Sequence, residues 1–222
     1  MSESTPRSHS AAQAAEIVAA PVVGVRLDAQ RPSSQWQRTA AIAFSSDWQG
    51  KNFDPGRETR VRVLWSPQTL YLRFECRYRE LYVFTDSDPN GRRGQLWDRD
   101  VAEAFLQPDP SRPRYYKEFE ISPNGLWIDL NISPHALANL KSHMQRSVWL
   151  DEAAHTWAAE LAIPMRSLTR QFHPDHLWRV NFYRVEGSKE PRFYSAWQPT
   201  NTTQPNFHVP EAFGRMRFQS VE

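Results

Sequence analysis

Apolar and polar residues alternate with a period of two along most of the chain, and that period predicts β-strands. Val61, Val63 and Trp65 alternate with Arg62 and Leu64. Beyond a turn at Ser66-Pro67-Gln68-Thr69, Leu70, Leu72, Phe74, Cys76 and Tyr78 alternate with Tyr71, Arg73, Glu75 and Arg77. This hairpin has one dry face and one charged face. Further on, Val101, Glu103 and Phe105 share one side of a strand and Ala102, Ala104 and Leu106 the other, while Phe119 and Ile121 alternate with Glu118 and Glu120. Asn124-Gly125 supplies two residues tolerant of positive φ. The chain then turns into Leu126, Ile128, Leu130 and Ile132, which alternate with Trp127, Asp129 and Asn131. Between these runs, Pro108 to Pro113 contains three prolines that cannot donate to a ladder, so it is a loop.

The second half continues the pattern. Trp157, Ala159, Leu161 and Ile163 share a face, and Pro164 to Leu168 ends that strand in a helical turn. Trp178, Val180 and Phe182 alternate with Arg179, Asn181 and Tyr183; Phe193 to Thr200 follows, and Phe213 to Phe218 closes the series. Ser133 as a cap with Pro134 at the first position predicts a short helix over 134–142. Before the first hairpin, Val22, Val23 and Val25 are expected to begin an edge strand. Arg31 to Gly56 is expected to be a long loop pinned by Trp36, Phe44, Trp48 and Phe53. Residues 1–20 are Ala- and Ser-rich and are expected to be a mobile tail, with 21–222 as one domain. Many short strands with one or two short helices make the fold class all-β: an antiparallel β-sandwich of jelly-roll or immunoglobulin-like type.

Charge narrows the partners. The 27 basic and 25 acidic residues give a net charge of +2 and are mixed along the sequence, so nucleic acid is not an expected partner. The single cysteine, Cys76, lies on the apolar side of its strand, so it is expected to be a buried thiol and no intramolecular disulfide is possible. The first residues have no basic cluster followed by an unbroken apolar run, which gives no signal peptide and a cytoplasmic location by default. No stretch approaches the roughly 20 apolar residues of a membrane helix. Nine Trp, seven Tyr and twelve Phe are many for 222 residues. Most are core residues, and those at loop positions bear on function.

The densest chemistry lies in Leu96 to Leu106, where Trp97, Asp98, Asp100 and Glu103 stand at the entrance of a strand. A pyranose ring offers apolar C–H faces and a rim of hydroxyls, so a site for one combines aromatic plates with carboxylates, amides or guanidinium groups. Trp97 precedes a strand and Trp197 precedes a Pro-containing loop, which leaves both rings free to serve as plates. Glu103, Glu120, Asn181 and Arg184 are the candidate floor. The acidic run Asp86-Ser87-Asp88-Pro89-Asn90-Gly91 lacks the spacing and terminal Glu of an EF-hand.

The sequence resembles the family 9 carbohydrate-binding modules. The resemblance is carried by Val61-Arg62-Val63-Leu64-Trp65 with Leu70-Tyr71, by Trp97-Asp98-Arg99-Asp100-Val101-Ala102-Glu103-Ala104-Phe105, by Tyr116-Lys117-Glu118-Phe119-Glu120, by Trp178-Arg179-Val180-Asn181-Phe182, by Tyr194-Ser195-Ala196-Trp197, and by Phe213-Gly214. It runs from about Val22 to Phe218. It implies a non-catalytic module in carbohydrate catabolism, a monomer that works beside a carbohydrate-active enzyme and holds a mono- or oligosaccharide end between Trp97 and Trp197, with Glu103 as an acceptor. Where characterised members have an arginine and a glutamine, this chain has Glu120 and Tyr183, so the resemblance does not carry over the identity of the sugar. No cofactor is required; some members hold structural calcium. Three other readings stay open: a glycoside hydrolase using Asp98, Asp100 and Glu103, a haem-binding sandwich with axial ligands among Met144, Met165, Met216 and the histidines, and a protein-interaction module.

Overall fold

The computed structural model describes residues 15–220, in which the predicted alternation becomes thirteen strands. They are β1 (Glu16–Pro21), β2 (Ile42–Phe44), β3 (Thr59–Ser66), β4 (Thr69–Arg77), β5 (Val101–Gln107), β6 (Tyr116–Ile121), β7 (Trp127–Ser133), β8 (Ala136–Asn139), β9 (Gln145–Asp151), β10 (Thr156–Pro164), β11 (Trp178–Glu186), β12 (Phe193–Ala196) and β13 (Gly214–Phe218). One helical turn, α1 (Met165–Leu168), follows β10 as expected. The strands run in the order β8-β7-β6-β5-β11-β13-β1-β3-β4-β10-β9, with β12 added to β11 and β2 to β3. All pairings are antiparallel except the two made by β1, which runs parallel to both β13 and β3.

This sheet curls over onto itself, so its two halves face each other as a sandwich. The inner residues of the cavity-bearing half, Ala102, Ala104, Leu106, Phe119, Ile121, Val180 and Phe182, meet Val61, Val63, Leu72, Phe74, Trp157 and Leu161 of the other half in one core. Phe74 and Phe182 mark the contact between the halves, with ring centroids 6.1 Å apart. Cys76 lies in that core, and burial pushes its thiol up to about 11. A second apolar cluster, with Leu96, Val101, Phe105, Ile128, Leu130, Tyr183 and Phe207, covers the outer face of β5, β6, β7 and β11 beneath the loops.

Three expectations about elements change. The tail was expected to reach residue 20, but Glu16 to Pro21 is a strand at the middle of the sheet; residues 1–14 lie outside the described residues. β13 and β3 each leave a free ladder edge that β1 fills, burying Ile17 and Ala19, and Val22, Val23 and Val25 follow the strand without forming one. The helix expected over 134–142 is instead strand β8. The Ser133 hydroxyl donates to the Ala136 carbonyl and closes a turn that sends the chain back along the open edge of β7. The segment 31–56, expected to be one long loop, is broken by the 3-10 turn Ser34–Arg38 and by β2; Trp36 and Phe44 are its buried anchors, whereas Phe53 is exposed.

Candidate functional site

The period of two decides which side chains reach the site. Odd-numbered positions on β5 and β11 and even-numbered positions on β6 point outward, so Glu103, Phe105, Glu118, Glu120, Tyr183 and Val185 share one face, opposite to the core residues Ala104, Phe119 and Phe182. In register, Glu103 stands between Tyr183 on one side and Glu120 on the other, and Phe105 stands between Asn181 and Glu118. Loops around residues 82–99, 187–194 and 205–208 rise around this face and leave a cavity of about 580 Å³.

Trp97 forms one wall. It lies in the 3-10 turn Leu96–Asp98, which starts from Gln95 at φ 55° and is anchored by the fully buried Leu96, so the neighbouring indole stays only half-buried beside the cavity. Arg192 holds this turn. Its Nη1 donates to the Trp97 carbonyl (3.2 Å), its Nε to the Gly187 carbonyl (2.7 Å), and its Nη2 lies 3.6 Å from Asp100 Oδ1. Asp100 in turn accepts from the amides of Gly187 (2.9 Å) and Tyr82 (3.2 Å), so one buried ion pair ties together two of the segments that rim the cavity, 82–99 and 187–194. Burial raises the Asp100 carboxyl, against the charge of Arg184.

Tyr194 also lines the cavity. β12 pairs with β11 so that Tyr194 stands opposite Val185 and Ala196 opposite Tyr183, which puts both on the outward face. Trp48 does not line the cavity but supports Tyr194 edge-on at 6.4 Å, with its Nε1 donating to the Thr202 carbonyl (2.9 Å). Phe207 lies flat on Tyr183, 4.1 Å between ring centroids, and takes that ring's place at the cavity surface. At the rim, the Arg99 guanidinium stacks over Tyr82 and Phe84, and His208 Nδ1 shares a 2.7 Å hydrogen bond with the Tyr116 hydroxyl.

The floor is acidic and poorly paired. Glu103, Glu118 and Glu120 are each no more than 2% exposed; Glu103 Oε1, Glu118 Oε2 and both oxygens of Glu120 have no hydrogen-bond donor. Burial holds the Glu120 carboxyl well above the usual carboxylate range, and the charges of Glu103 and Glu118 add to it. Burial and Glu118 do the same for Glu103, opposed by Arg192, and burial raises Glu118. Chemically, the arrangement is a set of aromatic surfaces beside unspent acceptors, suited to a ligand with a C–H face and several donors.

The residues picked from the sequence divide into three groups. Trp97 and Glu103 line the cavity, and Glu120 lies beside Glu103 in the floor behind the surface. Asn181 and Tyr183 are on the correct face but fully buried. Asn181 Nδ2 donates to the Tyr183 hydroxyl (2.8 Å) and to the Gln198 carbonyl (2.9 Å), and the Tyr183 hydroxyl donates to the Phe207 carbonyl (3.0 Å), so they hold the loops that shape the cavity. Arg184 and Trp197 are on the other face. Arg184 is enclosed beside Trp157, with its guanidinium 5.2 Å from that ring and 3.5 Å from Glu186 Oε2. The Trp197 ring packs beside Phe182, 5.9 Å between centroids, and over Gly214. The structure therefore does not bring Trp97 and Trp197 together across the cavity.

Glu118, Arg192, Tyr194 and Phe207 were not singled out from the sequence. Parity was the available signal for two of them: Glu118 is two positions from Glu120, and Tyr194 is on the opposite side of its strand from Trp197. In the acidic run, Asp86 pairs with Arg93 and Asp88 Oδ1 accepts from the amides of Asn90 and Arg92. Among the described residues, no three His, Cys, Asp or Glu side chains group as metal ligands.

Comparison with known proteins follows the same lines. A family model described as carbohydrate family 9 binding domain-like matches residues 27–220. An extracellular protein of Arthroderma benhamiae is 25% identical over 182 residues, covering 74% of this chain and 80% of that protein. Among solved structures, a putative carbohydrate-binding protein from Bacteroides uniformis superposes with a TM-score of 0.72 at 15% identity, covering 93% of this chain and all (100%) of that one. A family 9 carbohydrate-binding module from Caldicellulosiruptor kristjanssonii in complex with cellotriose superposes with a TM-score of 0.67 at 14% identity, covering 94% of this chain and 95% of that one.

Proposed function

We propose that this chain, which belongs to the carbohydrate family 9 binding domain-like family, binds a sugar ring in the cavity beside Trp97 and does not cleave it. The observation that carries this reading is the half-buried Trp97 indole, fixed by Arg192 next to a buried floor of carboxyls with unspent acceptors. A ring stacked on Trp97 exposes its hydroxyl rim to Glu103 and Glu118. Tyr194 supplies the second aromatic surface, a role the resemblance gives to Trp197. The cavity, at about 580 Å³, is within the range of roughly 300–1,000 Å³ common for small-ligand sites. The similarly folded module solved with cellotriose, and the same kind of module solved with glucose, support a saccharide as the ligand class.

Binding without cleavage follows from where the carboxyls stand. Glycosidases place two carboxyls on either side of the scissile bond, about 5–9.5 Å apart. Here the buried carboxyls of Glu103, Glu118 and Glu120 rise from neighbouring positions of two paired strands on one floor, and the other lining carboxyls, Asp98 and Glu190, are exposed on the surrounding loops. The module then serves carbohydrate catabolism by delivering or retaining a glycan for a separate carbohydrate-active enzyme. Isothermal titration calorimetry against glucose, cellobiose, xylobiose and galactose tests the reading, with a dissociation constant expected between roughly millimolar and micromolar. Trp97→Ala should abolish the heat and Tyr194→Ala should weaken binding at least about tenfold, a loss of roughly 1.4 kcal/mol. No saturable heat with any sugar, or unchanged binding in folded Trp97→Ala, would refute it.

A further inference from the structure

The floor of the cavity gathers three buried carboxyls. Four carboxyl oxygens lack a partner: Glu103 Oε1, Glu118 Oε2 and both oxygens of Glu120. Glu103 and Glu118 line the cavity, and Glu120 faces Glu103 directly across the β5–β6 ladder. Among the described residues no cation bonds any of these carboxyls. Arg192 donates Nε and Nη1 to two backbone carbonyls and keeps Nη2 3.6 Å from Asp100 Oδ1 with no hydrogen-bond partner, and Arg99 donates to the Asp98 carbonyl and lies over two aromatic rings. The one imidazole on the wall, that of His208, is bonded to Tyr116.

A hydroxyl brings one hydrogen-bond donor and no charge, whereas an ammonium brings three donors and a full positive charge. Burial and their mutual repulsion make these carboxyls costly to ionise, and a cation placed among them stabilises their charged form. We infer that the preferred ligand is an amino sugar, a hexosamine whose protonated amine sits on Glu103 and Glu118 with Glu120 behind them. This rests on the sugar-binding reading of the same cavity and specifies its ligand class.

Calorimetric or NMR titration of the full chain with D-glucosamine, glucose, N-acetylglucosamine and the fully deacetylated β-1,4 disaccharide of glucosamine tests it, in a buffer acidic enough to keep the amine protonated. Glucosamine is expected to bind at least about tenfold more tightly than glucose, as charge-assisted hydrogen bonds exceed neutral ones. N-acetylglucosamine, which has lost the charge, should lose the advantage. The disaccharide binding more tightly than the monosaccharide marks a glycan end as the ligand, and the reverse marks the free sugar; both agree with the inference. In Glu118→Gln and, independently, in Glu103→Gln, the ratio of glucosamine to glucose affinity should collapse towards one. The wild-type comparison alone decides the matter if neither variant folds. Equal binding of glucose and glucosamine, or tighter binding of N-acetylglucosamine, would overturn the amino-sugar assignment and leave the sugar site standing. Absence of binding by every sugar would overturn both.

Discussion

Replacing Glu120 by Gln should stabilise the protein in neutral solution and flatten its dependence on pH. Glu120 is fully buried, neither of its carboxyl oxygens has a donor, and Glu103 and Glu118 stand beside it on the same face. Its carboxyl is held well above the usual glutamate range by burial and by those two charges. The folded chain therefore keeps a proton there at pH values where the unfolded chain has released it, near the ordinary glutamate value of about 4.3 and above. The folded state binds more protons than the unfolded state, so stability is greatest at or below that value and falls as pH rises towards the folded-state value. Above the ordinary glutamate value, each pH unit over which only the folded state keeps that proton costs about 1.4 kcal/mol. In a domain of this size that corresponds to roughly 3–6 °C in Tm. Gln carries no charge to expel, and its amide can donate to the unpaired oxygens of Glu103 and Glu118. Urea denaturation of both proteins across this pH range measures the effect. Parallel profiles for wild type and Glu120→Gln, or a wild-type stability that rises between about pH 5 and pH 7, would refute the reasoning.

Two further substitutions probe the supports of the site. In Gly214→Ala, the new methyl would lie 2.7 Å from two Trp197 ring carbons and 2.8 Å from the Ala15 carbonyl oxygen, so a loss of about 1–3 kcal/mol is expected in chemical denaturation. Arg192→Met removes the donors to Trp97 and Gly187 and leaves Asp100 without its cation; stability should fall by about 3 kcal/mol, and sugar affinity should fall with it because the Trp97 turn loses its tie. Calorimetry on the folded fraction separates the two effects, and unchanged affinity would show that the turn holds its shape without Arg192.

The strands were legible because Val61 to Tyr78 and Val101 to Ile132 alternate everywhere except at the turns and the Pro-rich loop that join their strands, and the burial of Cys76 followed from the same pattern. Parity also contained part of the site. Counting by twos from Glu103 to Phe105 and across to Glu118 and Glu120 places the acidic floor. Counting from Tyr183 separates it from Arg184, and counting from Tyr194 separates it from Trp197. The rest was not legible because it depends on contacts between distant segments. Arg192 reaches Trp97 across 95 positions of sequence, and Phe207 covers Tyr183 from a loop with no periodic pattern. The β1 strand was missed for a related reason: six residues beginning with Glu and ending with Pro have little strand character until two edges are waiting for them. The Trp197 and Phe213-Gly214 pair, which helped carry the family resemblance, is a packing contact, since the indole sits where any larger residue at 214 would stand.

Among the described strands, β1 alone joins the two halves of the sheet along its strand order: β13 and the cavity-bearing strands pair on one side of it, and β3, β4 and β10 on the other. The pairing of the first described strand with β13 therefore waits until the last strand has been synthesised, whereas its partner β3 is available earlier. A chain lacking residues before Ile42 would expose the edges of β13 and β3 together, spaced for one strand. A synthetic peptide containing Glu16–Pro21 should then insert between them, in the parallel sense and with Ala19 beside Val63, converting the module into a two-piece protein whose assembly can be switched by peptide concentration.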